Sequence, residues 1–129
     1  MGATAIEALV LVYNADAGRV AAFLDSARKA LSLGACTLCD LTHGLFGERS
    51  DWAECRLAYR IPVEALHRDE LDDPTSGLAG PLPAILARSA GGLVRLVAAD
   101  ELATCTGIDD LDRLIRARAA EHGFAFPEP

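Results

Sequence analysis

The sequence predicts a single α/β domain over residues 1–129, with a central mixed four-stranded sheet and flanking helices. A chain of 129 residues, of which 51% are hydrophobic, is long enough to bury one core without disulfides or metals. Short apolar runs alternate with segments of helical periodicity, in the order strand, helix, cysteine loop, helix, strand, strand, strand, helix. The first two strands are separated widely enough to run parallel, whereas a short turn makes the last two antiparallel.

The first strand and the first helix are predicted in the first quarter of the chain. Residues 9–13 form a continuous apolar run that suits a strand buried on both faces. Between residues 19 and 32, apolar side chains recur at helical spacing, which predicts a helix. Asp16 is placed to cap this helix and Gly34 to end it.

A second helix and a second strand are predicted in the middle of the chain. The helix begins at Ser50 or Asp51 and ends before Pro62, because a proline disfavours the helical conformation of the residue before it. Val63–His67 has the length and composition of a short strand. Residues 68–77 are polar and rich in turn formers, which predicts an exposed loop.

A hairpin and a closing helix are predicted in the last third. Residues 82–88 and 93–97 are strand-like runs joined by a turn that contains Gly91 and Gly92, which indicates an antiparallel hairpin. Thr106 is then placed to cap an amphipathic helix. The core is expected to join the first strand to residues of these elements and of the first helix: Val20, Phe23, Leu24, Leu31, Ile85, Leu96, Leu111 and Ile115.

Charge and composition argue against several partners and locations. The formal net charge of −7 opposes binding to nucleic acid or to anionic membranes, because too few cations are present to release counterions. The first residues carry no basic segment and the apolar run ends at Asn14, so neither a signal peptide nor a membrane span is predicted. Four cysteines in such a chain do not indicate a secreted disulfide framework, and we expect a cytoplasmic protein.

Cys36 and Cys39 form the strongest chemical signal, a Cys-x-x-Cys motif. On a helical turn this spacing brings two sulfurs within bonding reach, so one thiolate can attack a disulfide and the other can resolve the mixed disulfide. The motif predicts thiol–disulfide redox chemistry with protein or small-molecule thiols and disulfides as partners and no required cofactor. Chance packing of two small residues is the simplest alternative. The other cysteines, Cys55 and Cys105, are interpreted as small apolar fillers.

A metal-binding or sensing module is the second interpretation of the same segment. His43 follows Cys39 by four residues and would share its helical face, which adds a ligand to Cys36 and Cys39. Two thiolates and one imidazole suit zinc or copper(I). His67 could supply a fourth ligand, or it could act as a base that lowers the pKa of a thiol.

Polar residues follow the first predicted strand at the end where open α/β sheets bind ligands. Asn14 and Asp16 lie there, next to the start of a predicted helix. We expect them to support binding together with Pro83, which should reach the same edge. Helix capping alone is the competing explanation for Asp16.

The stretch from Leu82 to Ile115 resembles the thioredoxin family, because a proline opens a strand, glycines turn a hairpin and a closing helix follows. The resemblance implies a thioredoxin-like fold and thiol–disulfide oxidoreductase activity. In that family the proline is cis and lies beside the active cysteines; Pro83 is the matching position and would shape a groove for an extended partner. A non-catalytic interaction protein on the same scaffold is a further alternative, since a fold does not determine a function.

The cysteine motif is displaced relative to thioredoxins, which carry it directly after the first strand. A continuous helix of about 14 residues rises about 20 Å, so Cys36 and Cys39 are expected at the end of the first helix that lies away from Pro83. This arrangement, with Tyr-Asn-Ala-Asp before the helix and Leu-His-Arg-Asp-Glu further on, also resembles a small family of uncharacterised bacterial proteins. That resemblance implies no activity.

Overall fold

The computed structural model of the chain describes residues 3–14, 37–44 and 47–127. The helix predicted at residues 19–32 lies outside them, as do Asp16 and Cys36. The strands are β1 (Thr4–Tyr13), β2 (His43–Gly44), β3 (Gly47–Glu48), β4 (Val63–His67), β5 (Ala84–Ser89), β6 (Gly92–Val97) and β7 (Phe124–Ala125). The helices are α1 (Thr37–Thr42), α2 (Ser50–Ala58), α3 (Asp73–Ala79), α4 (Ala99–Leu102) and α5 (Ile108–Glu121), with a 3₁₀ turn at Arg68–Glu70.

The main sheet is mixed, with the strand order β4-β1-β5-β6. Strand β1 runs parallel to β4 and antiparallel to β5, and β5 forms an antiparallel hairpin with β6. The predictions of an α/β fold, of a mixed sheet and of the hairpin are therefore confirmed. Strand β7 adds two residues beside the start of β1, and the sequence analysis did not predict it.

Strand β1 lies at the centre of the core because apolar side chains cover both of its faces. Leu9 and Leu11 belong to a large cluster that includes residues of α1, α2 and α5. Val10 and Val12 belong to a second cluster on the opposite face, as the alternation of side chains along a strand requires. The described members of the predicted core all lie in the large cluster: Ile85, Leu96, Leu111 and Ile115.

Helix α3 occupies a segment that the sequence analysis assigned to a loop. Asp72 caps its start by accepting a hydrogen bond from the backbone N–H of Thr75 at 2.8 Å. Pro74 lies in the first turn, where its missing N–H costs no hydrogen bond. Capping and proline at the start therefore outweigh the turn-forming composition, although most of the segment is exposed as expected.

Helix α5 confirms the predicted closing helix, but its start differs from the prediction. Gly107 is the N-cap, and no side chain caps it. The side chain of Thr106 instead donates to Asp110 at 2.7 Å, and the Thr106 backbone N–H donates to the same carboxylate at 3.0 Å. Over the stretches of chain that the structure describes, no helix combines the length and the apolar composition needed to cross a bilayer.

Candidate functional site

The carboxyl ends of β1 and β4 meet at one edge of the main sheet, and several predicted site residues lie there. Tyr13, the last residue of β1, pairs in register with His67, the last residue of β4. Val12 pairs with Ala84, so Pro83 lies one residue beyond the β1–β5 ladder at the same edge. The Leu82–Pro83 peptide bond is cis, as the resemblance implies, and Pro83 is buried.

Asn14 follows Tyr13 directly and is partly buried. The described residues therefore bring Asn14 and Pro83 to one edge of the sheet, as the sequence analysis expects, and His67 lies at the same edge. Ends of parallel strands are where open α/β sheets bind ligands. Asp16, the remaining member of the predicted set, lies outside the described residues.

Tyr13 connects this edge to the helix that contains Cys39, whereas the displaced motif was expected to lie away from Pro83. The Tyr13 side chain is buried, and its hydroxyl lies 2.9 Å from Oγ1 of Thr42, the last residue of α1. The Thr42 hydroxyl donates to the carbonyl oxygen of Leu38, also at 2.9 Å, which uses its one hydrogen and leaves the Tyr13 hydroxyl as the donor of the first bond. Burial raises the pKa of Tyr13 to about 12, so this hydroxyl keeps its proton at neutral pH.

The His67 ring is held in place from two sides. Its Nδ1 lies 2.5 Å from Oε1 of Glu70, which also accepts the His67 backbone N–H at 2.8 Å. The ring stacks on Tyr13 with 5.8 Å between centroids. The hydrogen bond from His67 lowers the pKa of the Glu70 carboxyl, so Glu70 is a charged partner at neutral pH. Because Nδ1 faces a carboxylate, Nε2 is the ring nitrogen placed to exchange a proton.

The structure describes the cysteine segment only in part. Cys39 lies within α1, so of the two forms expected for this segment, a loop or a single helical turn, the structure shows a helix; the Cys39 side chain and all of Cys36 lie outside the described set. His43 was expected on the helical face of Cys39, and that placement is wrong. Helix α1 ends at Thr42, whose carbonyl oxygen accepts the Arg49 N–H at 2.8 Å, and His43 begins strand β2.

The metal interpretation requires residues beyond the described side chains. Among those that are described, no group of three or more His, Cys, Asp or Glu residues could hold a metal ion. The side chains of Cys36, Cys39 and His43 lie outside that set.

Cys55 and Cys105 have the environment of packing residues. Cys55 is half-buried, with Sγ 3.6 Å from the Tyr59 hydroxyl and 3.7 Å from Oδ1 of Asp112. Cys105 is buried in the large core cluster. Burial raises the pKa of both thiols, which disfavours the thiolate form needed for attack on a disulfide.

Sequence reasoning missed a polar cluster between α2 and α5. Tyr59 donates to Oδ1 of Asp112 at 2.7 Å, and Arg116 Nε donates to the same oxygen at 3.0 Å. Asp112 and Arg116 border an open cleft of about 600 Å³, whose lining also includes the carboxylates of Asp51, Glu54, Asp109 and Asp110. The spacing of Asp112 and Arg116 on one helix predicts their ion pair, but no sequence signal connects them to Tyr59.

Comparisons of this chain with protein-family models, with curated proteins and with solved structures found no match.

Proposed function

We propose that this chain is a thioredoxin-like domain in which Cys36 and Cys39 carry out thiol–disulfide exchange in the cytoplasm. The strand arrangement supports the fold, because two parallel strands are followed by an antiparallel hairpin that Pro83 opens. One observation carries the functional part. The hydrogen bond between Tyr13 and Thr42 joins the helix that contains Cys39 to the end of β1, where His67 and Pro83 also lie.

The proposed chemistry needs only the two thiols and a disulfide partner. One thiolate attacks a sulfur of the partner disulfide and forms a mixed disulfide, which releases the first partner thiol. The second thiolate then attacks the cysteine sulfur of the mixed disulfide and releases the other. Two electrons pass from the cysteine pair to the partner, and the pair becomes a Cys36–Cys39 disulfide. Protein or small-molecule thiols and disulfides are the proposed partners, and no cofactor takes part.

Two neighbouring residues have proposed supporting roles. Glu70 holds Nδ1 of His67, so Nε2 can accept the proton of a thiol as it becomes a thiolate. Pro83 interrupts backbone hydrogen bonding at the start of β5, because proline has no N–H to donate. An extended partner peptide could occupy this edge, next to Asn14.

Cysteine variants test the proposal directly. The assay measures reduction of a protein disulfide with a chemical thiol as electron donor. We expect Cys36→Ser and Cys39→Ser to abolish the activity, since neither single thiol can complete the exchange. Cys55→Ser and Cys105→Ser are the matched controls and should retain it, because both thiols have pKa values raised by burial. Equal activity in all four variants, or an inactive wild-type protein, would refute the proposal.

The same purified protein decides between the remaining alternatives. Stoichiometric zinc or copper that is lost in Cys36→Ser, Cys39→Ser and His43→Ala would establish the metal-binding module instead. Full cellular function after replacement of Cys36 and Cys39 together would support a non-catalytic interaction protein. Elemental analysis after expression is the measurement that separates the first of these from redox chemistry.

A further inference from the structure

Helix α1 depends on packing to hold its position. Its described part, Thr37–Thr42, has six residues, whereas isolated helices shorter than about 12 residues are marginal in water. Among its described side chains, Leu38, Leu41 and Thr42 are buried, and they lie on one face because they are three and four positions apart. Apolar packing of the two leucines holds the helix against the core but is not directional.

The hydrogen bond from Tyr13 is a directional contact between this helix and β1, beside the bond that the Arg49 N–H donates to the Thr42 carbonyl oxygen. The Tyr13 bond joins the end of β1 to the last turn of α1. The Thr42 hydroxyl in turn donates a hydrogen bond to the Leu38 carbonyl oxygen, one turn earlier in the same helix. Tyr13, Thr42 and Leu38 are buried, so these two hydrogen bonds are shielded from water. The last turn of the short helix is therefore bonded to the end of β1.

We propose that Tyr13 is the positioning residue that fixes α1, and with it Cys39, against the sheet edge. The proposal depends on the function proposed above and names the residue that prepares the cysteine pair for oxidation. Disulfide formation is favoured when the backbone of one cysteine is already held in place, because less conformational entropy is lost. Tyr13 acts through α1 and touches no reacting atom.

Equilibration with glutathione measures this effect. The thiols of Cys36 and Cys39 lose two electrons and two protons to one glutathione disulfide, which yields the protein disulfide and two molecules of glutathione. Tyr13→Phe and Thr42→Val each remove the bond with little change in shape. We expect each to lower the equilibrium constant for disulfide formation by about three- to ten-fold, the value expected for loss of one neutral hydrogen bond.

Two further variants separate positioning from general stability. Thr42→Ser keeps the hydroxyl and should restore an equilibrium constant near that of the wild type. Tyr59→Phe is the matched control, because Tyr59 is the other buried tyrosine in the same cluster and donates to Asp112 on α5 instead of to α1. It should lower stability without changing the equilibrium constant. A double variant of Tyr13→Phe and Thr42→Val should match Thr42→Val alone, since Thr42→Val already removes the bond with Tyr13.

The outcomes distinguish this proposal from the proposed function. An equal change in Tyr13→Phe and Tyr59→Phe, or no change in Tyr13→Phe and Thr42→Val, would overturn the positioning role. If the wild-type pair forms no disulfide at all, the proposed function fails. Amide hydrogen exchange in α1 then decides the positioning role. Protection that falls about three- to ten-fold in Tyr13→Phe and not in Tyr59→Phe supports it, and equal protection in both refutes it.

Discussion

Tyr59, at the end of α2, donates a hydrogen bond of 2.7 Å to Oδ1 of Asp112 on α5. Arg116 donates to the same oxygen, and its guanidinium lies 4.9 Å from the centre of the Tyr59 ring. The Phe126 ring also stacks on the Tyr59 ring, with 4.9 Å between the two ring centroids. Asp112 is thus a shared acceptor that joins two helices on the same face of the sheet.

Loss of this acceptor should destabilise the protein. Asp112→Ala leaves the buried Tyr59 hydroxyl without its acceptor, and we expect the free energy of unfolding to fall by about 1 to 3 kcal/mol. Asp109→Ala is the control, because Asp109 is exposed on the same helix and should change stability by less than about 1 kcal/mol. Urea unfolding followed by fluorescence of Trp52, a buried residue, measures both. Equal losses would show that Asp112 acts only through the helix dipole.

Alkaline titration should reveal two tyrosines that keep their protons at pH 10 in the folded protein. The chain has two tyrosines, Tyr13 and Tyr59. Burial raises the pKa of Tyr13 from 10.0 to about 12, and burial also raises that of Tyr59. The folded state therefore holds these protons more tightly than the unfolded state, so this contribution to stability is complete below pH 10 and is lost as the pH rises further.

The expected loss from Tyr13 alone is about 2 to 3 kcal/mol between its unfolded and folded pKa values. Ultraviolet absorbance of tyrosinate should appear together with loss of the folded circular-dichroism signal, in one transition. Free titration of either tyrosine near its ordinary pKa, with the fold intact, would contradict the buried environments described here.

The closing helix should contribute strongly to stability through Leu111. This residue is fully buried in the large cluster, so Leu111→Ala should lower the free energy of unfolding by about 2 to 5 kcal/mol. Leu57→Ala is the control, because Leu57 is 66% exposed on α2 and should change stability by about 0.5 kcal/mol or less. A loss below about 1 kcal/mol at Leu111 would mean that α5 is not docked as described.

Two glycines near the end of α3 should respond to alanine in opposite ways. Gly77 lies inside the helix with nothing within 4 Å of an added Cβ, so Gly77→Ala should raise stability by about 0.5 to 1 kcal/mol. Gly80 has φ 66° and ψ −147°, a conformation almost restricted to glycine, so Gly80→Ala should lower stability by about 1 to 3 kcal/mol. Thermal unfolding of the two variants measures the sign of each stability change. Changes of the same sign would contradict the backbone conformations described for Gly77 and Gly80.

The elements that the sequence predicts are those whose signal is local. A continuous apolar run predicts β1, two strand-like runs around Gly91 and Gly92 predict the β5–β6 hairpin, and helical periodicity predicts α5. Helix α3 was missed because its stability comes from Asp72 and Pro74 at its start, while its interior contains the turn formers Ser76 and Gly77. Strand β7 has two residues and exists only because β1 offers it a partner.

The sequence predicts which residues belong to the candidate site better than it predicts the contacts between them. Asn14, His67 and Pro83 reach one edge because the predicted strands pair as expected. The Tyr13–Thr42 bond joins residues 29 positions apart and has no local signal. His43 was misplaced because helical spacing was extended past Thr42, where the chain turns into β2.

Redox titration with peptide mapping tests the central claim most directly. The wild-type protein is equilibrated in buffers of increasing thiol-to-disulfide ratio, trapped with an alkylating agent and digested, and each cysteine is then assigned as free or paired. We predict one reversible two-electron transition in which Cys36 and Cys39 become linked to each other while Cys55 and Cys105 stay free. Four free thiols under the strongest oxidant, or a disulfide that includes Cys55 or Cys105, would contradict it.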